Sequence, residues 1–171
     1  RETSEQVQMQ PPLHQACLPL APLLGLWRGT GNGHYPTIDS FEYLEEVNFA
    51  HVGKPFVTYT QKTKSASDGQ PLHSEQGFLR VVDGTTMEMV IAQPTGIVET
   101  HVGSYVSNGE SFIVKFDSLE VATTPSAKSV EQVSRLVRID QNELTYDVSM
   151  AAVGEKFQHH LEAKLQRVQA D

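Results

Sequence analysis

A single cysteine, Cys17, stands among 171 residues, so no internal disulfide can form, and disulfide scaffolds and zinc fingers are excluded together. Basic residues are scarce. Thirteen Lys plus Arg against 21 Asp plus Glu leave a net charge of -8, with no basic block anywhere, which opposes a protein that works by neutralising nucleic-acid phosphates or docking on anionic lipid. Long apolar runs are missing too. The longest, Leu18 to Trp27, is broken by Pro19, Pro22 and Gly25 and falls far short of the roughly 20 residues that span a bilayer. These absences predict an intracellular, cytoplasmic protein, with a nuclear place also open to it, and neither membrane nor nucleic acid as partner. No nucleophile elbow, phosphate-binding Gly loop or His-Glu-x-x-His helix is present either, which leaves hydrolase and nucleotide chemistry without support.

What is present suits one soluble domain: 39% hydrophobic and 20% charged residues over 171 positions supply one core and no more. Residues 1–17 are expected to form a flexible tail, because the Gln-rich opening stretch with Pro11 and Pro12 has too little apolar surface to offset the entropy of ordering it. The chain opens on Arg1 rather than Met, so further upstream domains are an open expectation. From residue 18 to 171 a single folded domain is expected. It begins with one very short helix over Leu18–Gly25, with Pro22 in its first turn and Gly25 ending it.

From Trp27 onward the helical period vanishes and a period of two replaces it. In Leu144-Thr-Tyr-Asp-Val-Ser-Met150, Leu144, Tyr146, Val148 and Met150 share one face. Similar runs cover about 41–52, 56–63, 74–82, 86–92, 96–106, 111–119, 130–139 and 157–168, and turn signals such as Asp83-Gly84 and Asn108-Gly109 separate them. About ten short strands with almost no helix leave two architectures, a β-sandwich or a closed barrel, and the tight hairpins between neighbours favour an all-β antiparallel up-and-down barrel. A barrel of that size commonly encloses a ligand.

Two stretches carry the chemistry. The glycines of Gly25-Leu-Trp-Arg-Gly-Thr-Gly31 lack the spacing of a dinucleotide fingerprint, so they are read as letting the first strand bend at a rim while Trp27 plugs the closed end. Of seven histidines, His14, His34, His51 and His101 sit in ordinary settings, but His159-His160 is a pair on one strand, so one of the two faces inward. A neutral imidazole in an apolar cavity suits an axial position on haem iron. Strict alternation groups Phe157, His159, Leu161, Ala163 and Leu165 and therefore favours His159; a bulge would favour His160 instead.

Gly25-Leu-Trp27-Arg-Gly29-Thr-Gly31, Tyr35-Pro-Thr-Ile38, Phe41-x-Tyr43-x-Glu-Glu46, His51-Val-Gly-Lys-Pro55, Pro71-Leu-His73, Ala92-Gln-x-Thr-Gly-x-Val-Glu99, Ser149-Met150 and Gln158-His-His160-Leu161 together resemble the nitrobindin family. These are haem proteins with a ten-stranded barrel similar to lipocalins and fatty-acid-binding proteins. The resemblance implies one haem b per chain with His160 as metal ligand, Thr37 against the haem, and Leu72, His73 and Met150 lining the pocket. Some relatives have Met at the position of Leu72. It further implies a five-coordinate or water-bound ferric iron that binds nitric oxide and isomerises peroxynitrite to nitrate, with His73 in a distal role. A monomer or weak homodimer is expected. Two other readings stand beside it: a nitric oxide sensor or store without catalysis, and a carrier of a fatty acid or other apolar molecule, in which Arg135 and Tyr146 would meet the carboxylate.

Overall fold

The computed structural model describes residues 9–169. Ten strands, each antiparallel to its neighbours, close into one barrel: β1 (Gly25–Tyr35), β2 (Ile38–Ala50), β3 (Val57–Ser65), β4 (Pro71–Val81), β5 (Thr86–Gln93), β6 (Ile97–Asn108), β7 (Ser111–Thr123), β8 (Val130–Asp140), β9 (Glu143–Ala152) and β10 (Gln158–Arg167), with β10 returning to pair with β1. This is the all-β up-and-down barrel expected from the period-two runs, and its closure leaves no unpaired sheet edge. No helix among the described residues is long and apolar enough to cross a membrane.

One end of the barrel is sealed. A 3-10 helix, Gln15–Leu23, precedes β1 and buries Cys17, Leu20 and Leu23. It starts three residues earlier than the expected boundary at 18, because the His14 Nδ1 accepts the Ala16 backbone N–H at 3.0 Å and caps the turn. The part of the expected tail before residue 9 lies outside the described residues. Trp27 is wholly buried at this end, its indole N–H donating to the Leu23 carbonyl at 2.8 Å. The Arg167 guanidinium stacks over its ring at 4.2 Å. Phe49, Val57, Leu79, Met87, Phe112, Ile139, Leu144 and Leu165 complete the apolar core.

The β1 glycines have a different task from the expected rim bend. A Cβ on Gly31 would lie 2.2 Å from the Tyr43 ring and one on Gly33 2.2 Å from the Phe41 ring. They are glycines because two β2 aromatics lie directly across them.

Candidate functional site

The opposite end of the barrel is open into a cavity of about 890 Å³, at the upper end of the range for small-molecule and cofactor pockets. Its rim is built by the β1–β2 turn, the starts of β4 and β6, the 126–130 loop and the β9–β10 turn. Thr37, Leu72, His73, Met150 and His160 all border this one cavity. Residues spread over 124 positions of sequence thus meet at one mouth.

The two adjacent histidines separate cleanly. Leu165, Ala163 and Leu161 face inward as alternation requires, but the register with β9 then jumps from Leu161↔Val148 to His159↔Ser149. His160 is the extra residue of a β-bulge. The bulge flips parity, so His160 joins the cavity wall and His159 turns to the outside. His160 Nδ1–H donates to the His34 carbonyl at 2.9 Å, and its ring meets Tyr35 edge-on at 5.3 Å between centroids. Burial holds the His160 imidazole below the usual histidine value, which favours the neutral ring. The backbone bond then places the proton on Nδ1 and leaves Nε2 with its lone pair. Nε2 makes no hydrogen bond among the described residues. A neutral imidazole, tautomer fixed by a backbone carbonyl and the other nitrogen unengaged, is the donor a haem iron takes. The residues present fit the group.

Between mouth and floor runs a polar belt that periodicity alone did not single out. On one side Arg135 of β8 donates to Glu75 at 2.7 Å and to Glu99 at 2.8 Å, so its guanidinium is fully engaged. His101 meets Glu99 at 2.8 Å, Tyr59 donates to Glu75 at 2.9 Å, and His73 Nε2 reaches Glu75 at 3.0 Å. Burial alone would raise Glu75, yet the Arg135 charge and the His73 hydrogen bond outweigh it and bring the carboxyl down to about 2. On the other side Glu45 of β2 accepts from Gln61 at 2.6 Å and from Tyr146 at 2.9 Å, and Tyr146 shares a 2.6 Å hydrogen bond with Tyr43. Here burial dominates and pushes Glu45 up to about 7. Two buried oxygens, Glu45 Oε1 and Gln61 Oε1, have no partner among the described residues; a protonated Glu45 would turn one of them from an acceptor into a donor.

The belt bears directly on the carrier reading. Arg135 and Tyr146 do face the lumen, but both are already committed to glutamates. A fatty-acid carboxylate would be the fourth carboxylate in a lumen whose one guanidinium is taken, an arrangement that repels it. A signal for the belt exists in sequence: Glu45 falls in phase with Tyr43 and Val47, and Glu99 with Ile97 and His101, so both glutamates occupy inward positions.

Comparison with known proteins agrees with this architecture. The chain is 52% identical over 155 residues, covering 91% of it and 96% of the relative, to peroxynitrite isomerase 1 of Mycolicibacterium paratuberculosis strain K-10. It is 50% identical, with the same coverage, to peroxynitrite isomerase 2 of Mycobacterium avium strain 104. The crystal structure of Rv2717c from M. tuberculosis superposes with a TM-score of 0.89 at 48% identity, covering 92% of this chain and all of that one. Residues 16–167 match the family model described as THAP4-like, heme-binding beta-barrel domain. The chain therefore belongs to the THAP4-like haem-binding β-barrel family, the nitrobindins.

Proposed function

We propose that this protein is a haem-dependent peroxynitrite isomerase that also binds nitric oxide, working as a monomer or weak homodimer in the cytoplasm or nucleus. The observation that carries the reading is His160: a lumen imidazole whose Nδ1–H is spent on the His34 carbonyl and whose Nε2 is unengaged. One haem b per chain is held there by His160, with Thr37, Leu72, His73 and Met150 around it. When bound there, ferric haem would supply the Lewis acid for the isomerisation of peroxynitrite to nitrate.

The chain's own residues do the rest. The His34 carbonyl holds the His160 ring in place and keeps the proton off Nε2. Glu75, itself pinned by Arg135, holds His73 Nε2 at 3.0 Å and so keeps that ring against the wall. His73 is thereby kept for an incoming anion rather than as a second ligand to the haem that His160 would hold. Met150, Val148 and Leu161 line the cavity with apolar surface, which excludes water from reactive fragments.

Hemin titration followed by absorbance tests the site: saturation of a Soret band at one equivalent is expected. His160→Ala should lose haem and change the band, while His159→Ala should leave it nearly unchanged; the reverse result would reassign the ligand. Stopped-flow decay of peroxynitrite, with nitrate and nitrite measured afterwards, tests the chemistry. Faster decay, a larger nitrate share and less nitration of added tyrosine are expected, all lost on haem removal. Unchanged decay with nitric oxide binding intact would leave a nitric-oxide-binding protein and defeat the enzyme reading.

A further inference from the structure

The bulge that turns His160 inward leaves its neighbour on the outer wall among charged groups that the lumen does not use. His159 Nε2 lies 2.9 Å from Asp147 Oδ1. Glu162, three residues along β10, is the direct cross-strand partner of Asp147 on β9. One donor atom from each of Asp147, His159 and Glu162 falls within 4.8 Å of the other two. On the far side of the imidazole, His159 Nδ1 is 3.0 Å from His34 Nε2, and the two rings lie 4.9 Å apart.

Electrostatics makes this cluster unusual for a surface. Like charges placed directly opposite on adjacent strands repel, and carboxylates so placed are ordinarily accompanied by Lys or Arg. Neither Asp147 nor Glu162 has a Lys or Arg within ion-pair distance among the described residues; the nearby Lys164 pairs with Glu143 at 3.7 Å instead. The pair shares only one imidazole between two negative charges. Compensation by a cation is the missing element.

We propose that Asp147, His159 and Glu162 form a divalent-cation site of the zinc class on the outer wall of the barrel, separate from the lumen and independent of what the lumen binds. One imidazole nitrogen with two carboxylate oxygens matches zinc, which accepts mixed N and O donors and leaves a fourth position to water. Donors at about 2.0–2.2 Å from a tetrahedral zinc stand roughly 3.5 Å from one another. The observed spread closes with a modest turn of the exposed Glu162 side chain. His34 is placed for the part that outer partners of metal-bound histidines have: with the cation on His159 Nε2, the His159 Nδ1–H would be donated to His34 Nε2, 3.0 Å away. The strands supply the rigidity, since three of the four residues are set by the β9–β10 register and the fourth by the adjoining end of β1.

Zinc added to the haem-free chain tests this, followed by calorimetry and by competition with a chromophoric zinc indicator. One saturable equivalent is expected, with a rise in the thermal midpoint that grows with free zinc. His159→Ala should abolish the site, and Glu162→Gln or Asp147→Asn should each weaken it at least tenfold. His34→Ala should weaken it about 10- to 100-fold, the usual effect of losing an outer partner. His160→Ala, which removes the lumen imidazole, should leave the outer site intact. All of these side chains except His160 are on the outer wall, so loss of fold does not mimic the result, and circular dichroism verifies it. Absence of saturable binding at millimolar zinc would overturn the proposal. Binding that survives His159→Ala but vanishes in His160→Ala would overturn it equally, by moving the metal into the lumen.

Discussion

Two lumen glutamates, on strands β2 and β4 with only β3 between them, differ in charge below neutral pH: one is ionised and the other keeps its proton. Glu75 and Glu45 are both at least 95% buried, yet the first sits at about 2 and the second at about 7. The difference is the company that other strands bring against each. Glu75 has Arg135 at 2.7 Å, whereas Glu45 has only the amide of Gln61 and the hydroxyl of Tyr146. Dehydration of a carboxylate is costly on both sides; a guanidinium offsets it and neutral donors do not. The cluster around Glu75 is therefore a charge network, and the cluster around Glu45 stores a proton near neutral pH. The charge network is the side that reaches the mouth, through His73.

Removing the guanidinium should break the contrast with the largest effect. In Arg135→Met, Glu75 and Glu99 lose their shared counter-charge while remaining buried, so about 3–5 kcal/mol of stability should go in urea unfolding at pH 7. The loss should shrink as the pH is lowered and the stranded carboxylates take up protons. A penalty that does not change between pH 7 and pH 4 would mean that Arg135 acts through packing alone.

Next in size is the pH dependence that each glutamate contributes. Glu45, raised from 4.5 to about 7, binds a proton more tightly folded than unfolded. Its contribution is whole below pH 4.5 and is lost as pH rises to about 7, roughly 3 kcal/mol over that window. Glu75, lowered from 4.5 to about 2, does the opposite: its contribution is present above pH 4.5 and fades as pH falls toward 2. Glu45→Gln should remove the decline between pH 4.5 and 7 in a series of urea titrations and leave the acid limb untouched. A slope that persists in the variant would assign it to another group.

The alternation of Leu144, Tyr146, Val148 and Met150 made the barrel legible in the sequence, because turns and a period of two follow from backbone geometry that every residue obeys. The His160 position was legible only in part. Alternation pointed to His159, and the bulge that reverses it is a backbone event that no side-chain pattern announces. The belt was harder still. Glu75 looks like any strand glutamate until β8 brings Arg135 against it from 60 positions away, and that is a property of barrel closure, not of local sequence. Thr37 and Met150 likewise gather only because the β1–β2 turn and the end of β9 share one rim.

The finest distinction lies in two tyrosines with the same geometry. Tyr59 donates to Glu75 and Tyr146 to Glu45, each at 2.9 Å. A hydrogen bond to an ionised acceptor is worth about 1.5–3 kcal/mol against about 0.5–1.5 for a neutral one. Tyr59→Phe should therefore cost about 1 kcal/mol more than Tyr146→Phe at pH 6, where Glu75 is charged and Glu45 keeps its proton. At pH 8.5 Glu45 has titrated, and Tyr146 then also donates to a carboxylate. The gap between the two variants should close, with the Tyr146→Phe penalty rising to meet that of Tyr59→Phe. Parallel unfolding curves at the two pH values measure this directly. Equal penalties already at pH 6 would mean that Glu45 is ionised there, and that the two clusters differ in their neighbours but not in the charge of their glutamates.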